Sequence, residues 1–172
     1  MKKLFLTAVI LVGFSLNAQA TNELKVGDAA PLFSSTTQDG KTFSLKSRTG
    51  TWTVLYFYPK AGTPGCTKQA CGFRDDIKKI ELEGAEVFGV SADSVKEQKA
   101  FHEKHHLNFT LIADEQDRVV DLYGSKMTGL KMSKRWTFII GPDLTIRDIQ
   151  KDVDPVMDAK RTAKRIAELK KI

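Results

Sequence analysis

Cysteine appears twice in the 172 residues, as Cys66 and Cys71, and both fall within FYPKAGTPGCTKQACGFRD, Phe57 to Asp75. Sulfur is nucleophilic as the thiolate, so a cysteine does chemistry where its surroundings favour the anion. Two prolines and two glycines crowd the loop ahead of Cys66, and helical periodicity begins behind it. A cysteine in the first turn of a helix faces unpaired backbone N–H groups and the positive end of the helix dipole, and both favour thiolate. Pro64 and Gly65 turn the chain sharply into the helix and keep bulk away from the sulfur, while Thr63 places a hydroxyl three residues ahead of it. A small polar reactant has a place between that hydroxyl, the helix amides and the sulfur. The plain alternative is an inert, buried Cys66 that packs as a small hydrophobe, and the cysteine alone does not decide between the two.

The elements that must hold this loop are visible around it. TWTVLYFY, from Thr51, is a continuous β-branched and aromatic run, so it predicts a strand buried on both faces. The loop Pro59 to Gly65 stops it, and a helix is expected from Cys66, with Phe73, Ile77 and Ile80 on one side and Gly84 as its C-terminal stop. Upstream, Asp39-Gly40 between two short extended pieces signals a hairpin. Downstream come a strand AEVFGVSA, a helix SVKEQKAFHEKHHL, a strand FTLIAD, a short helix DRVVDLYG and a hairpin RWTFIIG/LTIRDIQ turned at Gly141-Pro142-Asp143. The Asp154-Pro155 step predicts the start of a last helix, since proline suits the first helical position. The alternation argues an α/β fold with a central mixed sheet, and it places Cys66 at the carboxyl end of a central strand, where α/β sheets carry their chemistry.

Lys2 and Lys3, an apolar run of 13 residues from Leu4 to Leu16, and Ala18-Gln19-Ala20 together have the form of a secretory signal peptide spanning residues 1–20. The run is short of the roughly 20 residues that span a bilayer. No cysteine follows Ala20 to take a lipid, so no membrane association is expected after cleavage. Residues 21–172 are then one domain, with no repeat or linker inside it. Net charge is +6, or +4 without Lys2 and Lys3. Much of the excess lies in AKRTAKRIAELKKI, where Ile166, Leu169 and Ile172 form an apolar stripe, so it reads as the solvated face of a terminal helix, not a nucleic-acid patch. A domain of about 150 residues needs no disulfide staple, and a bridge over a four-residue loop would constrain the unfolded chain little, so the cysteine pair reads as chemical.

Pro59, Thr63 and Cys66 spell Pro-x-x-x-Thr-x-x-Cys, and VLYFYPKAGTPGCTKQACGFRD strongly resembles the active-site segment of the peroxiredoxins, most of all the bacterioferritin comigratory protein, or PrxQ, subfamily. VGDAAPLF, GAEVFGVSADS, FTLIADEQDRVVDLYG and RWTFII extend the resemblance, in order, over nearly the whole of residues 21–172. It implies a thioredoxin-like fold with an added N-terminal β-hairpin. It also implies that Cys66 attacks the O–O bond of hydrogen peroxide or an alkyl hydroperoxide, in a pocket lined by Thr63, Pro59 and Arg135. The physical logic agrees. Negative charge builds on the departing oxygen, and the Thr63 hydroxyl, a backbone N–H near Cys66 and the Arg135 guanidinium are donors suited to it. Arg135 keeps its charge at any working pH, and Pro59 would shield the sulfur from bulk water. The product is a sulfenic acid on Cys66.

The same resemblance implies that Cys71 resolves the sulfenic acid by forming a Cys66–Cys71 disulfide, which a thioredoxin-like reductant then reopens, and that the enzyme is a monomer. In an ideal helix residues five apart have Cα atoms about 8.6 Å apart, whereas a disulfide tolerates about 7 Å. The first turns must therefore unwind, and Gly72 makes that easier. Arg74 is ambiguous, either supporting Arg135 or facing water. No Gly-x-Gly-x-x-Gly fingerprint occurs, so no nicotinamide or flavin cofactor is expected.

Two other readings stay open at this point. Cys66 and Cys71 with His102 and His106, the latter pair sharing a helix face, offer metal ligands, although the histidines lie in a charged, solvent-facing helix. A thiol–disulfide oxidoreductase or copper chaperone would share the fold, although four residues between the cysteines is not the usual spacing there. Two departures from the resemblance stand out: Leu32 in place of an acidic residue, far from the proposed chemistry, and GSKMTGLKMSK before Arg135, which bears on the pocket rim and so on substrate preference.

Overall fold

Strand β3 (Trp52–Phe57) shows how the chain is layered. Successive side chains of a strand point to opposite faces, and here Val54 and Tyr56 enter one hydrophobic cluster while Leu55 and Phe57 enter another. The continuous apolar run predicted a strand covered on both sides, and each face of the sheet does carry its own core. The computed structural model describes residues 23–171, so the expected signal peptide and Ile172 lie outside the described residues.

In chain order the remaining elements are β1 (Ser34–Thr37), β2 (Thr42–Ser44), a one-turn 3-10 helix (Leu45–Arg48), α1 (Pro64–Leu82), β4 (Ala85–Ser91), α2 (Val95–Lys104), β5 (Thr110–Ala113), α3 (Arg118–Leu122), β6 (Trp136–Ile140), β7 (Ile146–Gln150) and α4 (Asp158–Leu169). They form one seven-stranded sheet in the order β2-β1-β5-β4-β3-β6-β7. The β3–β4 and β4–β5 pairs are parallel, with Leu55 opposite Phe88 and Val90 opposite Ile112, and the other pairs are antiparallel. Phe73, Ile77 and Ile80 of α1, Phe101 of α2 and Ile166 of α4 cover one face; Val119 and Val120 of α3, with Phe43 and Leu45 of the N-terminal segment, cover the other. This is the expected thioredoxin-like sheet with its added β1–β2 hairpin.

Three helix boundaries differ from expectation in ways that bear on the candidate residues, each for a local reason. Helix α1 starts at Pro64, with Thr63 as its N-cap in extended conformation, so Cys66 is its third residue, not its first. Helix α4 starts at Asp158, three residues after Pro155. The Asp154 carboxylate accepts from the Val156 N–H at 2.8 Å and the Asp154 carbonyl from the Met157 N–H at 3.1 Å, so Asp154–Met157 closes as a separate turn. Helix α2 ends at Lys104, and His106 takes φ 48°, so His102 and His106 do not share a helix face. Gly84, at φ 67°, ends α1 as predicted.

Candidate active site

Cys66 sits at the end of a short descent from the sheet. After Phe57 the chain leaves β3 through Tyr58 and Pro59 and enters α1 at Pro64. Three hydrogen bonds hold this crossing. The Tyr58 N–H donates to the Val90 carbonyl at 3.1 Å, the Ala61 N–H to Asp93 Oδ2 at 2.8 Å, and the Ser133 hydroxyl to the Tyr58 carbonyl at 2.8 Å. Asp93, just past β4, is kept in place by the Ser91 hydroxyl, which donates to the same oxygen at 2.6 Å.

The Cys66 side chain is 1% exposed. The first amide to find a helical partner is that of Thr67, which donates to the Thr63 carbonyl at 2.9 Å, so the N–H groups of Gly65 and Cys66 precede the ladder and are free to bind an anionic oxygen. Arg135, immediately before β6, donates from Nη2 to Cys66 Sγ at 3.4 Å. Its other terminal nitrogen, Nη1, donates to Gln69 Oε1. Gln69 in turn donates from Nε2 to Asp158 Oδ2 at 2.7 Å, where the Thr137 hydroxyl donates as well, also at 2.7 Å. Gln69, Thr137 and Asp158 are all buried. Burial pushes the Asp158 carboxyl above the usual range, opposed by the Gln69 and Thr137 hydrogen bonds and by the charges of Arg161 and Arg135.

Of the residues singled out from the sequence, Cys66 and Arg135 are in direct contact, with Thr63 at the N-cap of the same helix and Pro59 half-buried at the start of the loop. The Thr63 hydroxyl differs from expectation. It donates to the Lys60 carbonyl at 3.0 Å, so its proton is engaged within the loop and its lone pairs are what it offers outward. Cys71 is half-buried, and both cysteines are free thiols on one unbroken helix. Arg74 does not support Arg135. It donates to Asp75 at 2.8 Å and to the His105 carbonyl at 2.7 Å, so it ties α1 to the end of α2, where a cation is favourable.

Sequence reasoning missed Gln69, Thr137, Asp158, Asp93 and Ser133. Gln69 alone had a signal, as a polar residue within the buried stripe Cys66, Ala70, Phe73, Ile77 and Ile80. The divergent segment before Arg135 folds back on itself, with Lys126 bridged to Ser133 and the Lys134 N–H donating to the Ser125 carbonyl at 2.6 Å, which leaves Leu130 half-exposed at its tip. Among the described residues no group of three or more His, Cys, Asp or Glu is placed to hold a metal ion, and no helix is long and apolar enough to cross a membrane.

A buried sulfur at a helix N-terminus, with a guanidinium on one side and free amides on the other, can attack an electrophile while donors meet the charge that leaves. Known proteins share this arrangement of elements. The AhpC/TSA family profile matches residues 26–149. Peroxiredoxin Bcp of Escherichia coli is 47% identical over 103 residues, which are 60% of this chain and 66% of that protein. Among solved structures, peroxidoxin BcpB of Mycobacterium tuberculosis superposes with a TM-score of 0.79 at 32% identity, covering 84% of this chain and 97% of that one. The Xanthomonas campestris bacterioferritin comigratory protein, solved to explain its alkyl peroxide reduction, gives a TM-score of 0.74 at 28% identity and covers 84% and 98%. With the profile spanning most of the chain and these neighbours agreeing on the fold, the chain belongs to the AhpC/TSA family, as a peroxiredoxin of the Bcp and PrxQ kind.

Proposed function

We propose that this chain is a thiol-dependent peroxidase that reduces hydrogen peroxide and alkyl hydroperoxides, with Cys66 as the attacking nucleophile. The observation that carries the proposal is the guanidinium of Arg135 at 3.4 Å from the buried Cys66 sulfur, beside the free amides of Gly65 and Cys66. The thiolate attacks the terminal peroxide oxygen, the O–O bond breaks, and the other oxygen departs with its electron pair and takes up from solvent the proton that the thiol released, leaving as water or an alcohol. Cys66 is left as the sulfenic acid. Arg135 and the two amides meet the charge on the departing oxygen, and the outward lone pairs of the Thr63 hydroxyl accept from the peroxide O–H. Pro59 walls the approach.

Cys71 then attacks the sulfenic sulfur, and a Cys66–Cys71 disulfide forms with loss of water. Both thiols lie in a continuous helix, so α1 must open from its N-terminus before the sulfurs meet. A thioredoxin-like dithiol protein reduces the disulfide and is itself oxidised. The family relationship supports a peroxide substrate and a reductant of this class. It also carries the expectation of a monomer.

Export and a periplasmic or secreted location are inferred from Lys2, Lys3, the Leu4–Leu16 run and Ala18-Gln19-Ala20, with residues 21–172 as the working domain. Edman sequencing of protein recovered outside the cytoplasm should begin at Thr21; a start at Met1 would overturn that boundary.

The deciding experiment is stopped-flow thiol loss from reduced protein mixed with one equivalent of hydrogen peroxide. Wild type should lose two thiols rapidly, Cys71→Ser should stop at a sulfenic acid, and Cys66→Ser should show no fast phase. A wild type no faster than a small free thiol would end the peroxidase reading.

A further inference from the structure

A carboxylate 23 residues beyond Arg135 ends the chain of contacts that begins at the sulfur. Arg135 touches Cys66 with Nη2 and Gln69 with Nη1, and Gln69 touches Asp158. We propose that Asp158 is a positioning residue for the peroxide reaction, setting the orientation of the Gln69 amide and through it aiming Arg135 at Cys66 only while the start of α1 is helical. The proposal rests on the peroxidase reading above.

The argument starts from the asymmetry of an amide. Gln69 has one end that donates and one that accepts, and an ionised carboxylate only accepts while a guanidinium only donates. Asp158 therefore requires Nε2 on its side, which leaves Oε1 for Arg135. Turning the amide over would put acceptor against acceptor at Asp158 and donor against donor at Arg135, with both bonds lost. Gln69, Thr137 and Asp158 are 0%, 0% and 2% exposed, so water does not substitute for either bond. Asp158 is itself fixed from a second direction, by Thr137 of β6, two residues after Arg135. Its Oδ1 is buried without a partner, so only Oδ2 does this work. The charged groups acting on it are Arg161 of its own helix and Arg135, and the phenol of Tyr56 from β3 is a further titratable neighbour.

Gln69 stands between the two cysteines. Unwinding α1 far enough to join Cys66 and Cys71 carries Gln69 away from both neighbours, and Arg135 loses the acceptor that aims it. The donor set is thus complete in the reduced, fully helical enzyme and is dismantled once the sulfur has reacted.

The test separates aim from fold by comparing two electrophiles. Reaction with hydrogen peroxide needs Arg135 at the departing oxygen, whereas alkylation by iodoacetamide needs only a reachable thiolate. In Asp158→Ala the second-order rate with peroxide should fall tenfold or more relative to the alkylation rate. Asp158→Asn, whose carbonyl oxygen can still accept from Gln69 and Thr137, should restore the ratio to within about threefold of wild type. Asp158→Ser, whose hydroxyl suits the first turn of a helix but is too short to hold Gln69, serves if the alanine variant does not fold, and should show the same loss. A purely structural Asp158 would lower both rates together, in step with the melting temperature, and an unchanged ratio in the alanine or serine variant would overturn the proposal. A wild type that reacts slowly with peroxide would instead overturn the peroxidase reading, so the two failures are distinct.

Discussion

Gly65 lies against the guanidinium of Arg135: a Cβ at residue 65 would stand 3.1 Å from Nη2, the nitrogen that faces the Cys66 sulfur. Glycine there serves the approach of an arginine, since its φ is not among the positive ones that call for glycine. Gly65→Ala should push Arg135 by a few tenths of an ångström and slow the reaction with peroxide by about three- to tenfold. Helix propensity favours alanine, so stability should hold or rise by up to about 1 kcal/mol. A variant with wild-type peroxide kinetics would show that Arg135 tolerates displacement.

Arg135 spans two acceptors with two nitrogens of one plane, which a single ammonium cannot do. Arg135→Lys should therefore behave as a loss, slowing peroxide reduction about 100-fold, the scale of removing one donor to a developing oxyanion. Stopped-flow kinetics with hydrogen peroxide and with an alkyl hydroperoxide measures it. Retention of half the wild-type rate would mean that charge alone suffices.

Disulfide formation should melt the start of α1. Far-ultraviolet circular dichroism of wild type, oxidised with one equivalent of peroxide, should lose helical signal equivalent to about two turns. Cys71→Ser should keep it. Gly72 packs near the carbonyls of Pro155 and Val156, where an added Cβ would meet both at an ordinary 3.9 Å. Gly72→Ala should thus be accommodated, stiffen the helix by about 1 kcal/mol and slow disulfide formation about fivefold. An unchanged resolution rate would place the unwinding wholly before residue 72.

Asp158 also predicts a pH dependence of folding. Burial holds its carboxyl above the unfolded value, so between the two values the native state binds more protons than the unfolded state. Stability should consequently fall as pH rises from the ordinary aspartate range through the raised native value, and level off above it. Asp114, also raised by burial, acts with the same sign, so the contribution of Asp158 is read as a difference between wild type and Asp158→Asn. Urea unfolding of both across that interval should show the wild-type advantage at low pH shrinking or reversing at neutral pH. Parallel curves would mean that Asp158 is not what titrates.

The elements were legible because their signals are local. The β-branched and aromatic run of β3, the spacing of Phe73, Ile77 and Ile80, and the turn at Asp39-Gly40 each state which residues face a core, whatever that core contains. Where local signals compete, the sequence leaves a boundary open. Pro155 marked a helix start by its backbone preference, but Asp154 caps its own turn and delays α4 by three residues. Spacing from Cys66 singles out Thr63, yet the direction of its hydroxyl follows from the Lys60 carbonyl that the folded loop presents.

By itself the sequence determined which sulfur is presented at a helix N-terminus, because strand, proline-glycine loop and helix are consecutive and each is specified within a few residues. Arg135 came only from resemblance, 69 residues from Cys66, and its contact with the sulfur needed β6 laid against β3. Only the tertiary structure decided what aims that arginine. Gln69 and Asp158 are 89 residues apart and meet because α1 and α4 pack on the same face of the sheet. Periodicity tells a side chain to turn inward; it does not say which buried partner, supplied by a distant strand or helix, will satisfy it there.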